Sequence, residues 1–288
     1  MKKLRRGMFS SILLCGAFST MVLPGCTGNR SAEVDRMAVD SIPMDTIVYL
    51  DKENPESPTC QIKINFTYLK SSEANDSLAG VINKVLEEAF SSAHTGAASP
   101  ESFVASIKES LANDYLRDVQ TPYQTDVKNG MKADEIPNWY NYEYEITSKL
   151  TEGKDSVWNY VVTTYENTGG AHPNTWSHWV NVDATSGKSL SKKDVFVKGT
   201  EEKICQLILP QLLAEANEKL NTDTLTCVAG LQEVGLLLET DLYVPDNFLL
   251  GKDGVTFLYN RYDIAPYYMG AFELTVPYQD IDAYLIKK

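Results

Sequence analysis

Two hydrophobic periods alternate along this chain, and their order constrains the fold more than any other feature. Ile62, Ile64, Phe66 and Tyr68 alternate with Gln61, Lys63, Asn65 and Thr67. That period of two marks a strand with one buried face. Leu78, Val81, Ile82, Val85, Leu86, Ala89 and Phe90 then recur at helical spacing, with Asp76 or Ser77 before them as a cap. Ser99-Pro100-Glu101 opens a second helix, serine as cap and proline at the first position, where its missing N–H is not needed. Phe103, Ile107, Leu111 and Tyr115 form its inner face, Pro122 is expected to stop it, and residues 123–138 read as loop.

The period then returns to two. Tyr142, Tyr144 and Ile146 alternate with Glu143, Glu145 and Thr147. After the turn at Thr151-Glu152-Gly153-Lys154-Asp155, Trp158, Tyr160, Val162 and Thr164 do the same, so the two runs predict a hairpin. A third strand is expected from Trp176 to Asp183, followed by a turn to Lys188 in which Gly187 is free to take a positive φ. Ser191 to Asp194 fits a capping box. A helix from about Thr200 to Leu220 follows, with Pro210 expected to bend or split it. Residues 221–246 carry no clear pattern. Phe248 to Tyr259 around Gly251-Lys252-Asp253-Gly254 read as a second hairpin, Phe272 to Val276 as a last strand, and Tyr278 to Leu285 as a short helix. The order predicts an α+β fold, an antiparallel sheet or sheets with helices packed on one face. Two closely joined lobes are expected, residues 58–166 and 167–288, meeting near Glu166 and tightly packed or sharing one sheet.

The N-terminus gives an address. Lys2, Lys3, Arg5 and Arg6 precede an uncharged stretch from Gly7 to Asn29 that is strongly apolar at its centre. This is the pattern of a signal peptide, and the apolar run is too short and too broken for a convincing membrane span. It ends in Leu23-Pro24-Gly25-Cys26, a lipobox: a small residue before the cut and a sulfur to be acylated. Residues 1–25 are therefore expected to be a lipoprotein signal peptide and Cys26 the lipidation site. Each buried acyl methylene contributes ~0.8 kcal/mol, enough over two chains for durable anchoring to a lipid bilayer. Residues 26–57, rich in Asp, Glu, Ser and Pro, read as a tether with one edge strand at Ile47 to Leu50. The expected location is the cell envelope, lipid-anchored, on the periplasmic or cell-surface side.

Removal of residues 1–25 leaves 22 basic against 39 acidic residues, a net charge of −17. Nucleic acid is a poor partner for so acidic a chain, because phosphate must be met by Lys and Arg. A cationic partner would be attracted, most strongly at low salt. Of five cysteines, Cys60, Cys205 and Cys227 remain after Cys15 and Cys26 are accounted for, so no disulfide scaffold is expected. Cys205 with Cys227 is the one pairing to check.

Two stretches stand out chemically. In Asn167-Thr168-Gly169-Gly170-Ala171-His172-Pro173-Asn174, two glycines permit unusual backbone and close ligand approach, while Pro173 holds His172 extended. The loop either presents His172 or merely connects strands around a structurally bonded histidine. His178 shares a strand face with Trp176 and Val180, opposite Asp183, so His172, His178 and Asp183 do not form a tetrahedral zinc site; neither metal nor cofactor is expected. The second stretch, Tyr259 to Gly270, is dense in tyrosine, whose wide ring and hydroxyl suit an interface or the packing of a sheet end. Gly169, Gly170, His172, Asn174, Tyr262, Tyr267 and Tyr268 are the candidate binding residues. No nucleophile elbow or His-Glu-x-x-His motif is present, and no catalytic residue is assigned.

Gly169-Gly170-Ala171-His172, Asp183 to Lys188, Leu190 with Asp194-Val195-Phe196, Gly254-Val255-x-Phe257, and Tyr262-x-Ile264-Ala265-Pro266-Tyr267 with Gly270 run in the order of RsiV-like domains. The chain resembles that family from about Cys60 to Leu285. The family includes the extracytoplasmic part of a lysozyme-responsive anti-sigma factor and an accessory domain of some peptidoglycan deacetylases. The resemblance implies a non-enzymatic binding or sensor module in the envelope, for lysozyme-like cationic proteins or cell-wall glycans. The transmembrane helix of the anti-sigma factors is replaced here by a lipobox, so only the binding role transfers. The alternative is a hydrolase acting on envelope polysaccharide or peptidoglycan through His172 and a carboxylate.

Overall fold

The computed structural model describes residues 37–70, 76–132 and 135–287. The expected signal peptide, Cys26, the first part of the tether and the side chain of the expected cap Asp76 lie outside the described residues. Residues Met37–Lys288 form one compact unit.

Among the described residues, nine strands make two sheets. The first contains β1 (Val39–Tyr49), β2 (Thr59–Leu69), β3 (Tyr142–Glu152), β4 (Val157–Asn167), β5 (Asn174–Asp183) and β6 (Ser189–Leu190), in that spatial order. The second contains β7 (Phe248–Leu250), β8 (Gly254–Tyr259) and β9 (Phe272–Pro277). The fold is α+β as expected. All neighbours are antiparallel except β2 and β3, which run parallel. A parallel pair needs a crossover, and the helices α1 (Asp76–Ser91) and α2 (Pro100–Lys128) supply it.

One face of the first sheet is covered by those helices. Ile62, Ile64 and Phe66 of β2, with Tyr144 and Ile146 of β3 and Tyr160 of β4, meet Ile82 and Leu86 of α1 and Phe103 and Ile107 of α2. Phe66 sits 4.8 Å from Phe103 and 5.1 Å from Phe90, ring centre to ring centre. Full burial of one such ring stabilises the fold by about 1.5–3 kcal/mol. The second sheet has its own core: Phe257, Phe272 and Leu274 pack against Ile204, Ile208 and Leu212 of α4 (Glu201–Leu220). Three short helices, α3 (Lys192–Val195), α5 (Val228–Glu233) and α6 (Tyr278–Ile281), complete the described chain.

Several expectations are corrected. Part of the stretch read as tether, residues 39–49, is a strand paired with β2 along its whole length. Its inward residues Ile42, Met44 and Val48 are half-buried, and Pro43 is tolerated because β1 is an edge strand. β5 and β6, which follow residue 166, belong to the first sheet. Helix α2 runs through Pro122 to Lys128, because the turns beyond the proline have tertiary partners: Tyr123 packs on Tyr140, whose hydroxyl donates to Asp126 at 2.6 Å. Helix α4 is likewise not split by Pro210. Cys205 and Cys227 are free thiols, so that pairing is not made.

The two sheets are joined by asparagines. β6 covers only Asn181 and Val182 of the outer edge of β5. The backbone N–H of Ser177 donates to the Asn260 side chain at 2.8 Å and that of Trp179 to Asn247 at 2.9 Å. The Ser177 carbonyl accepts from both amides. Asn181 reaches the other way: its amide donates to Phe248 and its oxygen accepts from the Leu250 N–H, both at 2.8 Å. Each side chain replaces a rung of a ladder that the diverging strands do not make.

Candidate functional site

The same edge of β5 continues into the loop between β4 and β5, where the fold brings together the two stretches that the sequence singles out. Gly169 takes a φ of +76°, and a Cβ there would lie 2.2 Å from the carbonyl oxygen of Trp139. Only glycine fits, so the loop is clamped against the segment before β3. Gly170 has open space around it, and Asn174 opens β5 opposite Glu166.

His172 is exposed at the loop tip. Its Nδ1 is 3.1 Å from the Pro173 carbonyl, which can only accept, so Nδ1 carries a proton. In the neutral ring, Nε2 then accepts from the Tyr262 hydroxyl at 3.0 Å. The imidazole stacks on Tyr267, centres 3.8 Å apart and planes 20° apart. The Tyr267 hydroxyl donates to the same Pro173 carbonyl at 2.7 Å, and the Arg261 guanidinium lies 4.9 Å over the Tyr267 ring. Histidine, two tyrosines and an arginine from turns 90 residues apart thus form one stacked group.

Around this group lie the most exposed large apolar side chains among the described residues. Tyr268 is 70% exposed, Leu238 66%, Tyr262 60% and Trp139 57%. Trp139 adjoins the Gly169 clamp, Tyr268 follows Tyr267, and Leu238 shares a cavity with Tyr262. Tyr262 holds a φ of +70° and the neighbouring Leu237 one of +53°. Such backbone costs on the order of 1–3 kcal/mol for each non-glycine residue and persists only where its surroundings impose it. Here the Asn260 N–H bonded to the Asp263 carboxylate at 2.7 Å closes the turn carrying Tyr262, and the Leu237 N–H donates to Ile264 at 2.8 Å. Burial pushes the Asp263 carboxyl above the ordinary carboxylate range.

Of the residues expected at the site, His172, Tyr262 and Tyr267 touch one another. Gly169 shapes the loop, Tyr268 stands free beside it, and Gly170 and Asn174 flank it. The sequence reading missed Trp139, in a segment taken for loop, and Leu238, in a segment without pattern. It also missed Arg261, which lies within the tyrosine-rich stretch. No carboxylate bonds to His172 among the described residues. His178 lies beside Phe90 and Val180 and also borders a cavity with Tyr243 and Asp263, with no bond to His172. No group of three or more His, Cys, Asp or Glu side chains among the described residues is arranged to hold a metal ion.

Two family models match the chain. Residues 193–279 match a family described as protein of unknown function (DUF3298), and residues 53–175 match one described as deacetylase PdaC. Both are extracytoplasmic-type domains. The first match covers α4 and the second sheet; the second stops just after β5 begins, so the loop carrying His172 ends one match and its tyrosine partners lie in the other. A crystal structure of a DUF3298 family member from Bacteroides fragilis is 29% identical, covers 87% of this chain and 94% of its own, and has a TM-score of 0.76. A DUF3298 family protein from Pseudomonas aeruginosa, 18% identical, covers 88% of this chain and 95% of its own with a TM-score of 0.52. The latter shares the fold. No curated protein matches the chain. No helix among the described residues is long and apolar enough to cross a membrane.

Proposed function

We propose that this chain is a cell-envelope lipoprotein, anchored to a lipid bilayer through acylated Cys26, that acts as a binding or sensor module. Its ligand is a cationic protein such as lysozyme, with an envelope glycan as the other class to be tested. The observation that carries this reading is the rigid, exposed aromatic surface built from the Gly169–Asn174 loop and Tyr262, Tyr267 and Tyr268. Exposed apolar clusters with a polar rim mark interaction sites, and tyrosine and tryptophan are the side chains richest in binding energy there. The backbone beneath is held by the glycine clamp and by bonds to the turn, so little order remains to be lost on binding. The net charge of −17 that remains after loss of the leader favours a cationic partner.

The hydrolase reading needs an acid within hydrogen-bond reach of His172. Both ring nitrogens are instead engaged, by the Pro173 carbonyl and the Tyr262 hydroxyl. That engagement favours recognition over general acid–base work. Calorimetric titration of the chain with lysozyme at low and moderate salt tests the proposal. Binding that weakens with salt and with Tyr262→Ala plus Tyr268→Ala is expected; no heat at low salt removes lysozyme as the ligand. Localisation is tested by mass spectrometry of the membrane fraction, where a diacylated Cys26 at the first position is expected and an intact Met1 would contradict it.

A further inference from the structure

Beside the aromatic surface lies a cavity of about 210 Å³ between loop 235–240 and turn 262–266. Leu238, Tyr262, Ala265 and Pro266 are among the residues that line it. Two acidic residues, Glu239 and Asp263, also line it, and no lysine or arginine does; Asp263 borders the neighbouring cavity with His178 and Tyr243 as well. Among the described residues neither carboxylate takes part in an ion pair. Asp263 accepts one bond, from the Asn260 N–H to Oδ2, which leaves Oδ1 available. The nearby Arg261 is directed over Tyr267 instead of into this cavity.

Apolar walls ending in unpaired carboxylates suit a side chain that is itself apolar along its stem and charged at its tip. Lysine and arginine are built that way. The stem would lie on Leu238 and Pro266, the cation would meet the exposed Tyr262 ring, and the head would form charge-assisted bonds to Glu239 and Asp263. A neutral sugar would leave the two carboxylates with weaker partners. An anionic group would be repelled. We infer that this cavity is a subsite for one basic side chain, lysine or arginine, presented by a protein partner. The inference rests on the binding surface proposed above, of which Tyr262 is the shared wall. The two walls are already joined by the Leu237–Ile264 backbone bond, so the cavity exists before the partner arrives.

The probe is n-butylguanidinium, with the uncharged n-butylurea as its control, titrated into the isotopically labelled full chain and followed by amide NMR shifts. The amides of 235–240 and 262–266 are expected to move with n-butylguanidinium, and less as salt is raised. The Glu239→Gln plus Asp263→Asn variant should bind it roughly fivefold or more weakly, since each carboxylate supplies a charge-assisted bond. Asn at 263 can still accept from the Asn260 N–H, and Glu239→Gln alone, at an exposed position, serves as a second variant whose fold is not in question. Unmoved amides, equal binding of n-butylurea, or undiminished binding by both variants would overturn the subsite. If lysozyme binds the chain and Tyr268→Ala weakens it while n-butylguanidinium leaves these amides in place, the subsite falls and the surface reading stands. If n-butylguanidinium binds as described and lysozyme does not, the subsite stands and lysozyme is the wrong partner.

Discussion

β5 and the loop before it meet the second sheet and its β8–β9 connection in two places, and the two meetings are made of different chemistry. At Ser177, Trp179 and Asn181 the bonds come from asparagine side chains, and Asn181 is 1% exposed. A few residues earlier, at His172 and Pro173, they come from tyrosine hydroxyls and a stacked imidazole open to water. The same stretch is therefore a seam at one end and a surface at the other. Short amides fill ladder positions and vanish into the interface. Long aromatic side chains reach across the gap and leave their faces outside. Stability belongs to the first region and recognition to the second, and substitutions should separate the two.

The largest effect is expected in the seam. Asn181→Leu leaves the Leu250 N–H and the Phe248 carbonyl unpaired in the interior, at about 1–3 kcal/mol each. Thermal unfolding of the variant should show a loss of about 3 kcal/mol or more. A loss under about 1 kcal/mol would mean that the asparagines are not what holds the sheets together. Next comes the clamp under the surface. Gly169→Ala forces a Cβ against the Trp139 carbonyl at positive φ, so a cost of about 1–3 kcal/mol is expected together with weakened partner binding. Stability and binding measured on the same sample check whether the two move together.

Smaller still is the stability effect at the surface itself. Tyr268→Ala should change unfolding by no more than about 0.5 kcal/mol, the usual range for exposed substitutions, while binding falls. If melting drops as far as it does for Asn181→Leu, the surface is a second seam. The smallest effect concerns the thiols. Burial pushes the Cys60 thiol up to about 12, whereas Cys227 is exposed. Iodoacetamide at pH 8 should label Cys227 and spare Cys60, because the thiolate is the nucleophile and native Cys60 is buried and protonated. Cys60 should stay protected even in the Asn181→Leu variant, since it belongs to the core of the first sheet. Labelling there would mean that breaking the seam opens both cores.

The sequence carried β2 to β5, the strands of the second sheet and the two loops of the site because each follows a local rule: period two for Ile62 to Tyr68, glycine and proline punctuation around His172. It did not carry what depends on partners distant in the chain. β1 is hidden because its inward residues, Ile42, Met44 and Val48, are interrupted by a proline that only an edge strand tolerates. The continuation of α2 past Pro122 rests on Tyr140, and the parallel pairing of β2 with β3 on where two helices return the chain. At the site, the tyrosines and His172 were legible as types. That they meet was not, because the asparagine seam that brings their loops together uses residues no periodicity marks.

Hydrogen exchange in the presence of lysozyme tests the division between seam and surface most directly. The account predicts new protection at residues 168–174, 235–240 and 262–268, with residues 177–181 as slow to exchange before binding as after. Protection confined to other parts of the chain, or none at a saturating lysozyme concentration, would contradict it.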